Sequence, residues 1–277
     1  MASHLLISPD GMLGRAWAEL LDDDGVAWTG VTFPLFDLRD PEQVNAAVAG
    51  HDVVINCAAY TDVDGAEQSE PEATAINGDG VANLARACAR EGSVLVHYST
   101  DYVFDGAAST PYPVEHPIDP INAYGRSKAV GEAAVRAAGD AHLIVRTSWL
   151  YAPWGKNFVD TMARLTRELE TLKVVDDQRG RPTSAQHLAG STLALLQSGA
   201  RGTYHVTDGG ECTWYEFARA IADAVGGTAA IAPCTTAEFP RPAARPGYSV
   251  LDLSATEARI GEMPPWRTLL QRVIDSR

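Results

Sequence analysis

Leu5-Leu6-Ile7-Ser8-Pro9-Asp10-Gly11-Met12-Leu13-Gly14 is the stretch whose reading decides the fold, together with the helical run from Arg15 to Leu21 behind it. A short apolar strand enters a glycine turn, and the turn opens a helix. That order predicts a dinucleotide-binding start, because backbone N–H groups at a helix N-terminus receive a pyrophosphate. The usual spacing also has glycine at position 8, where this chain has Ser8. Pro9 is expected to push Ser8 towards extended angles. Asp10 is placed either to cap the helix or to face the pyrophosphate and repel it. Weak cofactor affinity, tightened by Ser8→Gly, is the expectation.

Outward from this start the chain alternates strand and helix. Val26 to Thr29 reads as a second strand, Leu35-Phe36-Asp37-Leu38 as a third, and a helix opens at Pro41 as first-turn proline. Trp28, Thr29 and Gly30 offer neither a carboxylate for a ribose 2′-hydroxyl nor a cation for a 2′-phosphate, so NADH and NADPH are not distinguished. Val53 to Ala59 is the clearest parallel strand, continuous and ended by small residues that let a ligand approach. Tyr60 to Glu70 reads as a polar loop, with Asp62, Asp64 and Glu67 in solvated or helix-capping roles rather than as a metal site. A helix over Ala73 to Arg90 and a strand over Val94 to Tyr98 follow. Then Pro111, Pro113, Pro117 and Pro120 form a stiff connector. His142 to Thr147 and Tyr204-His205-Val206 are further strands; Asn157 to Leu169, Leu188 to Leu196 and Thr213 to Val225 are helical. The fold class is α/β, a Rossmann-type doubly wound parallel sheet with a smaller C-terminal substrate-binding lobe. Residues 1–150 are mainly the dinucleotide-binding part and 151–277 mainly the lobe. No linker divides them, so the two are expected to interleave.

With 277 residues, 45% of them hydrophobic, the chain can bury a full core. Its formal charge of −14 argues against nucleic acid or an anionic membrane as partner, and an anionic substrate must be held by local donors against the global field. No segment approaches the ~18 to 20 apolar residues of a membrane span. Met1-Ala2-Ser3-His4 leads into a strand rather than a signal peptide. Cys57, Cys88, Cys212 and Cys234 are scattered and form no metal-ligand pair, which favours the reducing cytoplasm.

Tyr124 and Lys128 carry the chemistry. Four residues apart on a helix, they share a face about one turn from each other. Lys128, Lys156 and Lys173 are the only lysines, so a chain that otherwise uses arginine keeps an ammonium there. The strand before them runs into Ser99-Thr100-Asp101, which can add a hydroxyl. Phenol, ammonium and hydroxyl together suit hydride transfer to a carbonyl. The phenol gives the proton, the ammonium lowers its pKa from an ordinary value near ~10, and the hydroxyl holds the carbonyl oxygen.

Several longer motifs stand at fixed order: Val54-Ile55-Asn56-Cys57-Ala58-Ala59-Tyr60-Thr61-Asp62-Val63-Asp64-Gly65-Ala66-Glu67, Ser99-Thr100-Asp101-Tyr102-Val103-Phe104-Asp105-Gly106, Arg146-Thr147-Ser148-Trp149-Leu150-Tyr151, and Asp177-Gln178 through Pro182-Thr183. Through them the chain closely resembles the extended short-chain dehydrogenase/reductases, and within these the dTDP-4-dehydrorhamnose reductases, over nearly its whole length. The resemblance implies reduction, by NADPH or NADH, of the 4-keto group of a dTDP-4-dehydro-6-deoxy sugar. It implies Tyr124 as proton donor, Lys128 as its partner and ribose ligand, and Thr100 on the substrate carbonyl. Asp101 and Trp149 would meet the sugar nucleotide. Gly11, Met12 and Leu13 would lie on the pyrophosphate and Asp37 and Leu38 on the adenine. Ala59, Tyr60, Thr61 and Tyr98 would follow the nicotinamide half. Arg245 is a partner for the substrate's diphosphate or for surface carboxylates. Some members hold magnesium through glutamates at subunit contacts; Ala16 and Gln186 stand at those positions, so no such metal is expected. The resemblance leaves room for a homodimer.

Two other readings share the fold. Nucleotide-sugar epimerases and dehydratases use the same Tyr/Lys pair, but a dehydratase commonly carries Asp-Glu after the central Thr, where this chain has Asp101-Tyr102. A binding protein similar to the reductase-like regulatory subunit of methionine adenosyltransferase draws its support from Ser8 and Asp10. Intact Thr100, Tyr124 and Lys128 weigh against it.

Overall fold

The computed structural model describes residues 2–277; Met1 lies outside the described residues. The first half contains β1 (His4–Ile7), α1 (Met12–Asp23), β2 (Trp28–Val31), α2 (Pro41–Val48), β3 (Val53–Asn56), α3 (Val63–Gln68), α4 (Glu70–Thr74), α5 (Val81–Glu91), β4 (Val94–Thr100), α6 (Ala123–Ala138) and β5 (His142–Thr147). It continues through β6 (Leu150–Tyr151), α7 (Phe158–Glu168), β7 (Thr171–Val175), β8 (Arg179–Gly180), β9 (Thr183–Ser184), α8 (Ala185–Gln197) and β10 (Gly202–His205). The chain ends with β11 (Cys212–Thr213), α9 (Trp214–Val225), β12 (Ala230–Cys234), α10 (Ser254–Ile260) and α11 (Trp266–Asp275).

Six strands form one parallel sheet in the order β10-β5-β4-β3-β1-β2. Both faces of its inner strands are apolar, so helices must cover both. On one face Leu13, Trp17 and Leu21 of α1 and Leu188, Ala189 and Leu195 of α8 join Leu6, Ile55, Val96 and Val145 in a single core. On the other, Val44 of α2, Leu84 and Cys88 of α5 and Val135 of α6 bury Leu5, Ile7, Val54 and Ile144. A third core is built on Val159 of α7, Phe217 and Ile221 of α9, and Trp266 and Leu270 of α11. The outermost strand β10 comes from beyond residue 150, so the sheet is completed by the C-terminal half of the chain.

The structure differs from the sequence reading at several points. Leu35 to Leu38 is not a strand. Pro34 has no N–H for a ladder, the Phe36 N–H turns back to the Thr32 carbonyl (2.9 Å), and the Asp37 N–H is taken by Gln43 (3.0 Å). Only Phe36 and Leu38 point inward, and Leu35 is left 91% exposed. Tyr60 to Glu70 contains α3, capped by Asp62 through the Gly65 N–H (2.9 Å). Ala73 to Arg90 is interrupted by a π-helical turn at Ala75–Gly80. That turn buries Asn77, whose amide holds the Tyr60 backbone at both ends and the Ser127 hydroxyl, tying the loop after β3 to α6.

The opening turn is also not as expected. Ser8 has φ 59°, the left-handed region, rather than extended angles. Its carbonyl accepts the Gly11 N–H at 3.2 Å, so the tight turn survives without its first glycine. Gly14 cannot be replaced as Ser8 has been, because a Cβ there would lie 1.9 Å from the Ser8 oxygen. The left-handed conformation costs a residue with a Cβ roughly 1–2 kcal/mol. Ser8→Gly is therefore expected to raise the unfolding free energy by about 1 kcal/mol. Equal urea midpoints for the two proteins would refute this. Asp10 does not cap α1; its carboxylate takes the Thr32 hydroxyl at 2.6 Å.

Candidate active-site cleft

The carboxyl ends of β1, β3, β4 and β5 open into one cleft of about 1000 Å³. Open parallel sheets bind ligands at this edge because helix N-termini and loops converge there. At its centre α1 begins with no side-chain cap and no acidic residue in its first turn. The N–H groups of Met12 and Leu13 have no partner within the helix, so their partial positive charge faces the cleft. Ala58 and Ala59 after β3 keep the floor low. These features fit a dinucleotide's pyrophosphate.

Asp37 and Leu38 line the end of the cleft beyond β2, and Asp37 is clasped by Arg39 through Nε and Nη2 contacts of 2.6–3.0 Å. The Arg39 hydrogen bonds hold the Asp37 carboxyl below the usual carboxylate range. At the other end stand Thr100, Asp101, Tyr124 and Lys128. Asn122 starts α6 by accepting the Gly125 N–H (2.8 Å), which sets Tyr124 in the first turn. Gly125 lets that turn lie against the Tyr102 carbonyl, 2.1 Å from where a Cβ would stand.

The electrostatics of the cluster depart from the simplest expectation. Burial and the charge of Asp101 push the Tyr124 phenol well above its ordinary value, while the Thr100 hydroxyl pulls it down. Lys128 gives its hydrogen bond elsewhere. The ammonium is turned to the Tyr98 carbonyl, 2.6 Å away, and burial lowers its own pKa to about 8 against the opposing pull of Glu132. Thr100 gives its single hydroxyl proton to Asp101 Oδ1 (2.9 Å) and accepts the Tyr102 N–H (3.2 Å). Burial raises the Asp101 carboxyl to about 6, although the nearby Ser249 and Thr100 hydroxyls pull the other way.

Gly11, Met12, Leu13, Ala59, Thr61, Tyr98 and Trp149 also line the cleft, but Tyr60 does not. The Tyr60 ring packs on Ala66, Ala73 and Ala123, fixed by the Asn77 clamp on its backbone. The Tyr98 phenol points into the core, where it accepts the Trp17 indole N–H at 2.7 Å, so Tyr98 serves the cleft through its backbone. Arg245 pairs with Asp64 at 3.1 Å, beside Arg241, and is not a lining residue. Trp149 stacks on Trp214 at 3.6 Å between ring centroids. Trp214, Arg39 and Lys156 line the cleft too. Sequence reasoning missed Trp214 because Thr213 to Val225 reads only as a helix; an indole just after a capping threonine is the signal that could have flagged it. Among the described residues, no group of three or more His, Cys, Asp and Glu is arranged to hold a metal ion. Ala16 is buried under α8, and Gln186 accepts from Ser184.

Residues 3–277 match the family described as the RmlD substrate binding domain. The chain belongs to this family. A dTDP-4-dehydrorhamnose reductase of Burkholderia thailandensis is 45% identical over 251 residues, covering 83% of this chain and 84% of the relative. The crystal structure of a dTDP-4-dehydrorhamnose reductase from Clostridium acetobutylicum superposes with a TM-score of 0.96 at 40% identity, covering 99% of both chains. The same family's enzyme from Bacillus anthracis, solved in complex with NADP, gives a TM-score of 0.96 at 37% identity and covers 100% of this chain and 99% of that one. The RmlD-type fold and the parallel sheet are thus those expected from the motifs.

Proposed function

We propose that this chain is an NAD(P)H-dependent reductase acting on the 4-keto group of a dTDP-4-dehydro-6-deoxy sugar, the reaction named for its relatives. What carries the reading is the meeting of Thr100, Tyr124 and Lys128 at one end of a cleft whose middle holds the uncapped start of α1. The nicotinamide cofactor, when bound, supplies the hydride. Gly11, Met12 and Leu13 would hold its pyrophosphate and Asp37 and Leu38 its adenine, while Lys128 would hold the nicotinamide ribose.

The protein's own part is positioning and proton delivery. Tyr124 gives its phenolic proton to the carbonyl oxygen as that oxygen gains charge. The raised phenol pKa keeps the proton on Tyr124 in the resting site, so transfer waits on the charge that the carbonyl oxygen gains. The phenolate left behind is costly in a buried site, and the Lys128 charge one helical turn away offsets that cost. Thr100 polarises the carbonyl only by turning its hydroxyl from Asp101. Trp149 gives the sugar nucleotide an apolar wall, braced by Trp214. The four unpaired cysteines support a reducing, cytoplasmic setting. No helix among the described residues is long and apolar enough to cross a membrane.

The test is to mix the protein with dTDP-4-keto-L-rhamnose and follow oxidation of NADPH and NADH in parallel. Substrate-dependent oxidation of one or both is expected. Its absence with both cofactors, in protein shown to be folded, would overturn the reading.

A further inference from the structure

Three cations line the cleft: Arg39, Lys128 and Lys156. Arg39 is engaged by Asp37, and Lys128 is buried against the Tyr98 carbonyl. Arg245, the basic residue that the sequence offered for a diphosphate, is bound to Asp64. Lys156 is exposed and has neither an ion pair nor a hydrogen bond among the described residues. An unpaired cation in the cleft of a chain carrying a formal charge of −14 stands out, because the surrounding field favours pairing it with a carboxylate.

Its position is also fixed. The loop between β6 and α7 is stitched by Asn157, whose amide donates to the carbonyls of Ala152 (3.0 Å), Trp154 (3.3 Å) and Gly155 (3.3 Å). The Asn157 oxygen meanwhile caps α7 through the Asp160 N–H at 3.0 Å. The Trp154 indole N–H donates to the Met12 carbonyl (3.1 Å), and Arg15 lies 4.2 Å over the Trp154 ring. Gly155 comes so near the start of α1 that a Cβ on it would be 3.7 Å from the Met12 methyl. The loop therefore carries Lys156 on a rigid mount beside the uncapped first turn of α1, and Phe158, two residues on, packs with its ring 4.6 Å from that of Trp214.

We propose that Lys156 is the cation that binds a diphosphate in this cleft. The class of ligand is fixed by the two elements that meet there. One is a helix N-terminus that favours phosphate oxygens; the other is an ammonium able to give several hydrogen bonds to them. Two molecules of the proposed reaction carry that group, the dinucleotide and the sugar nucleotide, and on this point the inference rests on the reductase reading.

The experiment uses the full chain and two separate bindings. NADPH is titrated without sugar nucleotide, and dTDP is titrated calorimetrically without cofactor. In Lys156→Gln at least one dissociation constant is expected to rise about tenfold, the loss of a charge-assisted hydrogen bond, with a shallower dependence on salt. Lys156→Arg should keep most of the affinity. Lys173→Gln, at an exposed site paired with Glu238, should behave as the parent. A rise for NADPH assigns Lys156 to the cofactor's pyrophosphate; a rise for dTDP assigns it to the sugar nucleotide. Both constants within twofold of the parent overturn the proposal, as does a parent that binds neither molecule. A parent that binds both but oxidises neither NADPH nor NADH with a 4-keto sugar overturns the reductase reading and leaves the Lys156 result standing.

Discussion

Tyr124→Phe is expected to lower kcat by about 10²- to 10⁴-fold, the usual contribution of a positioned acid. The dissociation constant for NADPH should stay within about threefold. The substitution removes one oxygen and leaves the ring in its edge-on contact with Tyr102, 6.1 Å between centroids. Asn122 still caps the helix, and Lys128 keeps its own bond to the Tyr98 carbonyl, so the rest of the cleft has no reason to move. A loss confined to kcat would place the effect in the chemical step. Full kcat in the mutant would remove Tyr124 from the role of proton donor. A matching loss of cofactor affinity would instead make it a binding residue.

The second large effect is expected at Glu132, one turn beyond Lys128 on α6. Its carboxylate is fully buried and takes Arg146 Nε and Nη2, each at 2.8 Å, with Arg136 at 2.9 Å on its open side. Arg146 extends the network to the Val114 carbonyl (2.9 Å) and His205 (3.3 Å), and stacks over Phe104. The catalytic helix is thereby bound to β5, to β10 and to the proline connector. Removing one partner of such a buried pair strands the other charge, so Glu132→Ala should cost roughly 3–5 kcal/mol of stability. Burial alone would raise the carboxyl, but the bonds and charge of Arg146, helped by Ser99 and Arg136, hold it at about 2. Its ordinary value is 4.5, so the folded form binds its proton less readily than the unfolded chain. The stabilisation is complete above that ordinary value and fades as pH falls from about 4.5 to about 2. It is worth about 3 kcal/mol across that window. Urea unfolding followed against pH should show this component in the parent and lack it in Glu132→Gln. Parallel curves for the two proteins would refute the linkage.

The sequence made the sheet legible wherever strands were continuous and β-branched, as at Val53 to Asn56 and His142 to Thr147, because burial on both faces leaves no room for polar residues. It misled at Leu35 to Leu38, where the same apolar signal serves a loop that drops two side chains into the core while its N–H groups bond elsewhere. The single helix read over Ala73 to Arg90 concealed the π-helical turn, since the apolar face at Leu84, Ala87 and Cys88 lies wholly beyond it. In the cleft, type and spacing singled out Tyr124, Lys128 and Thr100 and the family resemblance added Trp149; all four line it. Tyr60 turns away from the cleft and Arg245 takes the carboxylate of its two alternatives, and nothing local announces Asn77 or Asp64 as their partners. Lys156 was visible only as one of three lysines, and its meaning depends on a loop that folds back to Met12 across 142 residues of chain.

The stacked indoles of Trp149 and Trp214 have an optical consequence. Two of the chain's six tryptophans face each other at 3.6 Å with their planes 12° apart, on the wall of the cleft. Chromophores that close share their excited states, so the pair imprints its geometry on the near-ultraviolet circular dichroism. The other four indoles lie outside the cleft lining. Anything that slides against Trp149 alters that signal, and the protein carries a built-in reporter of occupancy that needs no label.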